Sequence, residues 1–339
     1  MSASQPNTGL PQSTGYGPRT TDHGSRPKIA VYWTGSCGGC DVAFLELGPA
    51  LLDVLAKVEI AFWPALMDAK RADVERFAPR SLTATLINGT LRTEENVEMV
   101  GLLREKSQLV VAFGACAHLG GVPGLANLAS REEFLRAVCG NGFRLAPPPG
   151  GEREDAPPAL LPQAKPLSEE ITVDYIVPGC PPPPALIGLL FEALLSGELP
   201  PPGHVFAHDK ALCEECPLTR EDRRLERIVR PHEAVPVPEQ CLLDQGMICM
   251  GLVTRGGCGA ACPTAAMPCT GCLGPTPHAG DPGLAMVSAL ASLVRVGEEG
   301  EDSFAAEDEV LDSLVDPLGT FYKYSLPTYV RSGNGRTAG

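Results

Sequence analysis

Eight of the thirteen cysteines are concentrated in the run from residue 198 to residue 275, and their spacing suits iron–sulfur chemistry. They are Cys213, Cys216, Cys241, Cys249, Cys258, Cys262, Cys269 and Cys272. Their local spacings are CxxC, CxxxC and CxxC, and eight is twice the four thiolates that a cubane 4Fe–4S cluster takes. Cys216 and Cys262, like Cys180 upstream, are followed directly by proline, which is common at iron–sulfur ligands. The run therefore predicts two cubane clusters.

Other chemistries would use the same residues. Disulfides require an oxidising compartment. Structural zinc also takes groups of four cysteines, and the paired CxxC motifs taken alone favour zinc. His204 and His208 precede Cys213 and could replace one thiolate. The compartment argues against disulfides and the five remaining cysteines argue against zinc, whereas the histidine alternative stays open.

Composition indicates an acidic protein of a reducing compartment. The 339 residues carry a net charge of −14, which disfavours nucleic acid and anionic membrane surfaces as partners. No apolar stretch reaches the roughly 18 residues that span a bilayer. Residues 1–26 are polar, lack the apolar core of a secretory signal and are predicted to be a disordered tail. We therefore expect a cytoplasmic protein whose thirteen reduced cysteines serve mainly to bind metal.

The chain upstream of the cysteine run alternates between strand and helix patterns. Predicted strands cover residues 28–33, 58–63, 83–87, 109–113 and 171–177. Predicted helices cover residues 41–57 with a break at Gly48–Pro49, 68–77, 93–106 with Thr93 as N-cap, 130–139 and 181–196. The Pro-rich stretch 147–168 is predicted to be an exposed linker. This alternation predicts an α/β fold with a flavodoxin-like, doubly wound parallel sheet.

Three of the predicted strands run into loops that contain cysteine: Cys37 and Cys40, then Cys116, then Cys180. Ligands of such sheets lie beyond the carboxyl ends of the strands, so the four thiols can converge and hold a third cubane. The Gly-rich turn at Cys37 lacks the Lys-Ser/Thr of a phosphate loop. A thioredoxin-like CxxC at Cys37 and Cys40 is possible but leaves Cys116 and Cys180 unexplained.

The remaining polar residues and the carboxyl-terminal segment carry weaker signals. Cys139 lies in a predicted helix without a spacing partner and is expected to be a packing residue. His118, in the Cys116 loop, is expected either to hydrogen-bond near a cluster or to be merely structural. Residues 281–339 contain no cysteine. They carry two apolar patches, which are expected to dock either on the chain's own domains or on a partner.

Several long motifs resemble a known family. They are WTGSCGGCD (Trp33–Asp41), GACAHLGGVPGLAN (Gly114–Asn127), VPGCPPPP (Val177–Pro184), CLLDQGMIC (Cys241–Cys249), TRGGCGAAC (Thr254–Cys262), PCTGCLGP (Pro268–Pro275) and DPLGTFYKYSLP (Asp316–Pro327). They resemble the small subunit of cytoplasmic nickel–iron hydrogenases, above all the gamma subunit of the methyl-viologen-reducing type, which does not reduce the deazaflavin coenzyme. The resemblance extends from about residue 27 to residue 328.

This resemblance implies an electron-transfer subunit with three 4Fe–4S clusters, while the nickel–iron centre lies on a partner large subunit. The proximal cluster is implied on Cys37, Cys40, Cys116 and Cys180. The medial cluster is implied on Cys258, Cys262, Cys269 and Cys272, and the distal cluster on Cys213, Cys216, Cys241 and Cys249. Four cysteines stand at every site, where membrane-bound relatives use a distal histidine, so low potentials are expected.

The resemblance also implies a domain plan and partners. A flavodoxin-like domain (27–197) is followed by a loop-rich, ferredoxin-like two-cluster domain (198–280) and by the docking segment 281–339. The expected partners are the large subunit and an electron-acceptor subunit. The acceptor could be a flavin subunit or an iron–sulfur subunit, and it could be linked to heterodisulfide reductase. The alternative is an iron–sulfur module of a complex-I-like assembly that does not handle hydrogen. Complex I carries adjacent cysteines where Cys37 and Cys40 are separated here, and it lacks the eight-cysteine extension.

Overall fold

A five-stranded parallel sheet forms the amino-terminal half of the computed structural model, which describes residues 26–139, 159–221, 225, 227–293 and 313–330. The strands of the chain are β1 (Lys28–Trp33), β2 (Glu59–Phe62), β3 (Leu82–Asn88), β4 (Leu91–Thr93), β5 (Ser107–Phe113), β6 (Leu160–Lys165) and β7 (Tyr175–Val177). The order in the parallel sheet is β2-β1-β3-β5-β7. This is the flavodoxin-like order, so the predicted fold class is confirmed.

Helices connect these strands and continue beyond them. The α-helices are α1 (Gly39–Ala43), α2 (Pro49–Lys57), α3 (Arg71–Arg76), α4 (Glu94–Lys106), α5 (Ala115–Leu119), α6 (Arg131–Cys139), α7 (Pro184–Ser196), α8 (Ala261–Thr264), α9 (Pro282–Leu293), α10 (Pro317–Phe321) and α11 (Leu326–Tyr329). Short 3₁₀ helices cover Leu45–Leu47, Val122–Leu128, Leu167–Glu169, Leu212–Glu214 and Met250–Leu252. Gly48 separates the first 3₁₀ helix from α2, at the predicted break.

The sheet is buried on both faces, which is why its central strands are mostly apolar. In β1, Ile29 and Val31 pack into the core on one face, whereas Ala30 packs into the core on the other. In β5, Phe113 packs into the first of these cores and Val110 into the second. The buried hydroxyls of Thr85 in β3 and Ser107 in β5 hydrogen-bond to each other at 2.6 Å. The ligand candidates, by contrast, come after the ends of the strands.

Helix α4 begins where the sequence predicts. Thr93 is its N-cap: the Thr93 side chain accepts from the Asn96 amide at 3.1 Å, and the Asn96 side chain accepts from the Thr93 amide at 3.2 Å. Glu94 and Glu95 lie in the first turn, where the helix dipole favours negative charge. This reciprocal cap fixes the helix that covers one face of β3 and β5.

Two predictions about the segment before β7 are wrong. Within the predicted linker 147–168, β6 (Leu160–Lys165) pairs antiparallel with β4, and Asn127 fastens it through two hydrogen bonds to Ala164, of 2.9 and 2.8 Å. Residues 147–158 lie outside the described part of the chain. The strand predicted at 171–177 begins only at Tyr175, because the Ile171 amide closes a turn onto the carbonyl of Leu167 at 3.0 Å.

Beyond α7 the chain has little regular structure until α9, as the sequence indicated. Helices α10 and α11 then turn back onto the earlier part of the chain. The Gly121 amide donates to the Tyr324 carbonyl at 2.9 Å, and the Thr328 hydroxyl donates to the Leu119 carbonyl at 3.0 Å. Of the two docking alternatives, the described part of this segment therefore shows contact with its own chain. The domain boundaries at 197 and 280 stay predictions.

The predicted tail lies, up to residue 25, outside the described residues. No helix in the described ranges is both long and apolar enough to cross a bilayer.

Candidate metal centres

The four cysteines predicted at the edge of the sheet come together there. Cys37 and Cys40 follow β1, Cys116 lies in α5 after β5, and Cys180 follows β7. Burial raises the pKa of the Cys40 thiol far above its usual range, and repulsion from the thiolates of Cys116, Cys180 and Cys37 adds to the shift. Burial likewise raises the pKa of Cys116 to about 12, with contributions from Cys180 and Cys37. Loops more than a hundred residues apart in sequence therefore deliver four interacting thiols.

Two glycines leave room for these thiols. Gly114 has a φ of 92°, and a Cβ added there would lie 2.5 Å from the Cys40 sulfur. Gly121 has a φ of 60°, and a Cβ there would collide with the sulfur of Cys116. Only glycine meets both the backbone conformation and the close approach at these positions.

Asp41, next to Cys40, anchors the loop that carries the first two cysteines. Its carboxylate accepts from the Trp63 indole at 2.7 Å and from the Asn88 side-chain amide at 3.0 Å. These bonds join the start of α1 to the ends of β2 and β3. The sequence alone did not single out this arrangement, because its three members are separated by up to 47 positions.

A second group of thiols comprises Cys213, Cys216, Cys241 and Cys249. Burial raises the pKa of Cys213 to about 12, and the thiolates of Cys249, Cys241 and Cys216 add to the shift in that order. The Cys241 amide donates to the Thr219 carbonyl at 2.7 Å, which holds Cys241 beside the chain that follows the CxxC motif of Cys213 and Cys216.

A third group comprises Cys258, Cys262, Cys269 and Cys272. Burial raises the pKa of Cys272 to about 12, and the thiolates of Cys258, Cys180 and Cys262 add to the shift. Burial also raises the pKa of Cys269, the most enclosed member of this group, and Cys249 of the second group contributes more to this rise than Cys272 does. Helix α8 carries Cys262, and Ala260 before it adopts a left-handed conformation with a φ of 50°.

The third group contacts both of the others. The backbone amide of Cys180 approaches the Cys272 sulfur closely enough to lower its pKa against the effect of burial. On the other side, the Cys269 amide donates to the Cys249 sulfur at 3.3 Å. A ligand candidate of the third group therefore touches a ligand candidate of each neighbouring group.

The donor set fits iron–sulfur clusters. All twelve of these cysteines are free thiols. Backbone amides point at several sulfurs: those of Gly251 and Cys269 at Cys249, and those of Ala260 and Ala261 at Cys258. Thiolate ligands with hydrogen bonds to sulfur are the environment in which such clusters are held and their potentials tuned.

In the described ranges, no trio of His, Cys, Asp or Glu side chains is gathered tightly enough to hold one metal ion. All ligands of a zinc ion lie within about 2.3 Å of it. A cubane instead takes each thiolate on a different iron corner and so accepts more widely separated sulfurs.

The histidines near these groups have other partners. The His208 ring nitrogen Nδ1 lies 3.2 Å from the Glu215 carboxylate, and the His204 ring packs edge-on against Phe206. His118 is half-buried with its Nδ1 enclosed, burial lowers its pKa to about 4, and Nδ1 has no hydrogen-bond partner in the described part of the structure. Cys139 ends α6, and its side chain lies outside what the structure describes.

Glu215, between Cys213 and Cys216, connects the second group to the third. Its carboxylate accepts from the Gly257 amide at 2.9 and 3.0 Å and from the Ala260 amide at 3.3 Å. Sequence reasoning missed this role, since an acidic residue in an acidic protein gives no signal. The carboxylate also adds to the rise in the pKa of Cys258, although burial is the larger cause.

Known proteins that are similar to this chain include hydrogenase subunits and a complex-I subunit family. A family model described as NADH ubiquinone oxidoreductase, 20 Kd subunit, matches residues 37–194. The chain is 39% identical to the iron–sulfur subunit of the F420-non-reducing hydrogenase of Archaeoglobus profundus, over 88% of this chain and 96% of that protein. It is 37% identical to a subunit of the F420-non-reducing hydrogenase of Methanothermobacter marburgensis, over 88% of this chain and 94% of the relative.

Among solved structures, a chain of the recombinant [NiFeSe] hydrogenase from Desulfovibrio vulgaris Hildenborough is similar, with a TM-score of 0.48 and 20% identity. The match covers 77% of this chain and 98% of that one.

Proposed function

Because the chain belongs to the family of iron–sulfur subunits of F420-non-reducing hydrogenases, which are small subunits of nickel–iron hydrogenases, we propose that it relays electrons through three 4Fe–4S clusters. The chain is thus a subunit of an oxidoreductase whose nickel–iron active site is on the large subunit. Electrons released by H2 ⇌ 2H+ + 2e− would pass along this chain to an acceptor.

The contact of the third thiol group with both others carries this proposal. Cys180 approaches Cys272, and Cys269 donates to Cys249, so the three groups are joined by direct contacts between their members. Electron transfer between centres requires such short separations, whereas three independent structural metal sites would not need them. The arrangement also supports the order proximal, medial, distal.

We assign the proximal cluster to Cys37, Cys40, Cys116 and Cys180, the medial cluster to Cys258, Cys262, Cys269 and Cys272, and the distal cluster to Cys213, Cys216, Cys241 and Cys249. Bound clusters supply one-electron redox centres of low potential, because all-thiolate ligation is more anionic than ligation that includes histidine. The protein's own part is to space the thiols, to direct amides at their sulfurs and to bury them. We propose the division into domains at residues 197 and 280 because the proximal ligand candidates all lie before residue 197, whereas the medial and distal ones all lie between residues 198 and 280.

The large subunit is proposed to dock at the carboxyl edge of the sheet. Large apolar side chains are exposed there beside Cys37 and Cys40: Trp33 is 45% exposed, Val42 55% and Leu45 65%. Exposed apolar patches of this kind mark protein interfaces.

An acceptor subunit, carrying flavin or iron–sulfur clusters, would then approach the distal group. We propose a cytoplasmic complex, because its many free thiols require a reducing compartment.

The match of residues 37–194 to the complex-I subunit family supports one other candidate, an iron–sulfur module that does not handle hydrogen. The Cys37–Gly–Gly–Cys40 spacing and the eight-cysteine extension favour the hydrogenase. The native complex, purified without oxygen, should reduce viologen dyes with H2 as the only donor. A complex that contains this chain with intact clusters but gives no H2-dependent reduction would support the other candidate.

A further inference from the structure

One segment that holds no ligand candidate lies where the proximal and medial thiol groups meet. It runs from Phe321 to Tyr329, is rich in aromatic residues and returns to the sheet domain from the carboxyl-terminal end of the described chain. At its centre, half-buried Tyr324 hydrogen-bonds through different atoms to a residue beside each group. Nothing in the relay as derived above requires a tyrosine at this position.

The backbone of Tyr324 is fixed to the proximal side. Its carbonyl accepts from the Gly121 amide at 2.9 Å. Gly121 packs directly on Cys116, since a Cβ at Gly121 would collide with the Cys116 sulfur. The Tyr324 backbone is therefore one residue removed from a proximal ligand candidate.

The side chain of Tyr324 is fixed to the medial side. Its phenol oxygen lies 3.2 Å from the hydroxyl of Thr270, and the two groups share a hydrogen bond. Thr270 stands inside the medial CxxC motif, between Cys269 and Cys272. One residue thus joins the loop of Cys116 to the loop that supplies two medial ligand candidates.

The segment around Tyr324 is itself held firmly. Pro327 packs against Gly120 and Gly124, and the Thr328 hydroxyl donates to the Leu119 carbonyl at 3.0 Å. Burial raises the pKa of the Tyr324 phenol to about 12, and the thiolates of Cys272, Cys180 and Cys262 contribute to this rise. The phenol is therefore neutral at physiological pH and acts through its hydrogen bond.

We propose that Tyr324 is a positioning residue for electron transfer, which sets the separation and relative orientation of the proximal and medial sites by bridging Gly121 and Thr270. The inference rests on the proposed function. The step that it serves moves one electron from the proximal to the medial cluster, and no bond forms or breaks. Because tunnelling rates fall exponentially with distance, a small displacement of one site relative to the other slows this step.

The test uses the purified native complex with Tyr324→Phe and, separately, Thr270→Val, each of which removes one partner of the same hydrogen bond. Tyr322→Phe is the matched control, because the Tyr322 phenol donates to Asp281 at 2.8 Å, away from the cysteine motifs. Two quantities are measured: the magnetic coupling between the reduced proximal and medial clusters by EPR, and the rate of medial reduction after H2 addition by freeze-quench EPR.

Tyr324→Phe and Thr270→Val should each change the magnetic coupling and slow medial reduction severalfold. A variant that carries both changes should be no worse than either single one, because both remove the same hydrogen bond. Tyr322→Phe should match the wild type. Loss of the proximal or medial cluster from both bridge variants, but not from the control, is the extreme form of the same result. Wild-type coupling and rate in Tyr324→Phe and Thr270→Val, with all clusters present, would overturn the inference. A wild-type complex without three clusters would instead refute the proposed function.

Discussion

At the scale of single residues, Glu215 is the charged group whose surroundings make the clearest prediction. It accepts from Gly257 and Ala260 beside the medial thiols, while its neighbour Glu214 points away and pairs with Lys210 at 3.0 Å. A fixed negative charge beside a cluster opposes the arrival of an electron. Glu215 should therefore hold the medial potential below the value that the ligands alone would give.

The change Glu215→Gln removes this charge and keeps an oxygen that can accept from the amides. We expect the medial potential to become less negative, by on the order of tens of millivolts, where about 59 mV is a tenfold change for a one-electron couple. An EPR-monitored redox titration of the complex measures it. Glu214→Gln is the control, and an equal shift of the medial potential in both variants would refute the role given to Glu215.

The ligand candidates could be predicted from the sequence, but the residues that support them could not. Cysteine is rare enough that the spacings of Cys213, Cys216, Cys258 and Cys262 carry information by themselves. Glu215 and Tyr324 belong to common residue types, and their roles depend on contacts with positions 42 and 54 residues away. Such contacts exist only once the chain is folded, so no local pattern indicates them.

At the scale of elements, helix α11 depends on a notch made by two glycines. Pro327, at its second position, packs on Gly120 and Gly124. A Cβ at Gly124 would lie 2.6 Å from the Pro327 Cδ, closer than real contacts of this kind. The docking of the carboxyl-terminal segment, and with it Tyr324, therefore requires a residue without a side chain at this position.

Accordingly, Gly124→Ala should displace α11 and lower the free energy of unfolding by about 1–3 kcal/mol, the usual cost of overpacking. Deuterium exchange should show lost protection within residues 317–330. Gly101→Ala is the control, because a Cβ at Gly101, within α4, meets nothing within 4 Å and alanine favours helix by up to about 1 kcal/mol. Unchanged protection of the segment in Gly124→Ala would show that α11 can dock without a glycine at this position.

The parallel sheet could be predicted because each of its strands is a buried apolar run followed by a helix. Strand β6 was missed because Pro162 lies within it and the prolines around it indicate a loop. It is a strand because β4 offers an edge and Asn127 holds Ala164 in place. The start of β7 was placed too early because Ile171 and Val173 are β-formers, although the turn at Leu167 uses the Ile171 amide.

At the scale of the whole molecule, the order of the three groups predicts different effects of breaking the relay at its two ends. Serine is a poor ligand for iron where thiolate is preferred. In the native complex, Cys213→Ser should degrade the distal cluster and abolish electron delivery to the physiological acceptor. Hydrogen–deuterium exchange, which needs only the nickel–iron site, should survive.

The change Cys37→Ser should also leave hydrogen–deuterium exchange intact but cut electron flow to every acceptor, including small dyes that could take electrons from the medial site. Dye reduction therefore distinguishes the two variants. If both variants lost dye reduction to the same extent, with folding shown to be intact, the proposed order of the clusters would be wrong.

Twelve cysteines are proposed to hold three cubane clusters, and the metal content of the complex decides whether they do. The chain, purified under strict exclusion of oxygen in its native complex, should contain about twelve iron atoms and about twelve acid-labile sulfides beyond the iron of the large subunit. A content of roughly two zinc ions with little iron would rule out the three clusters and identify the eight-cysteine run as a structural zinc domain.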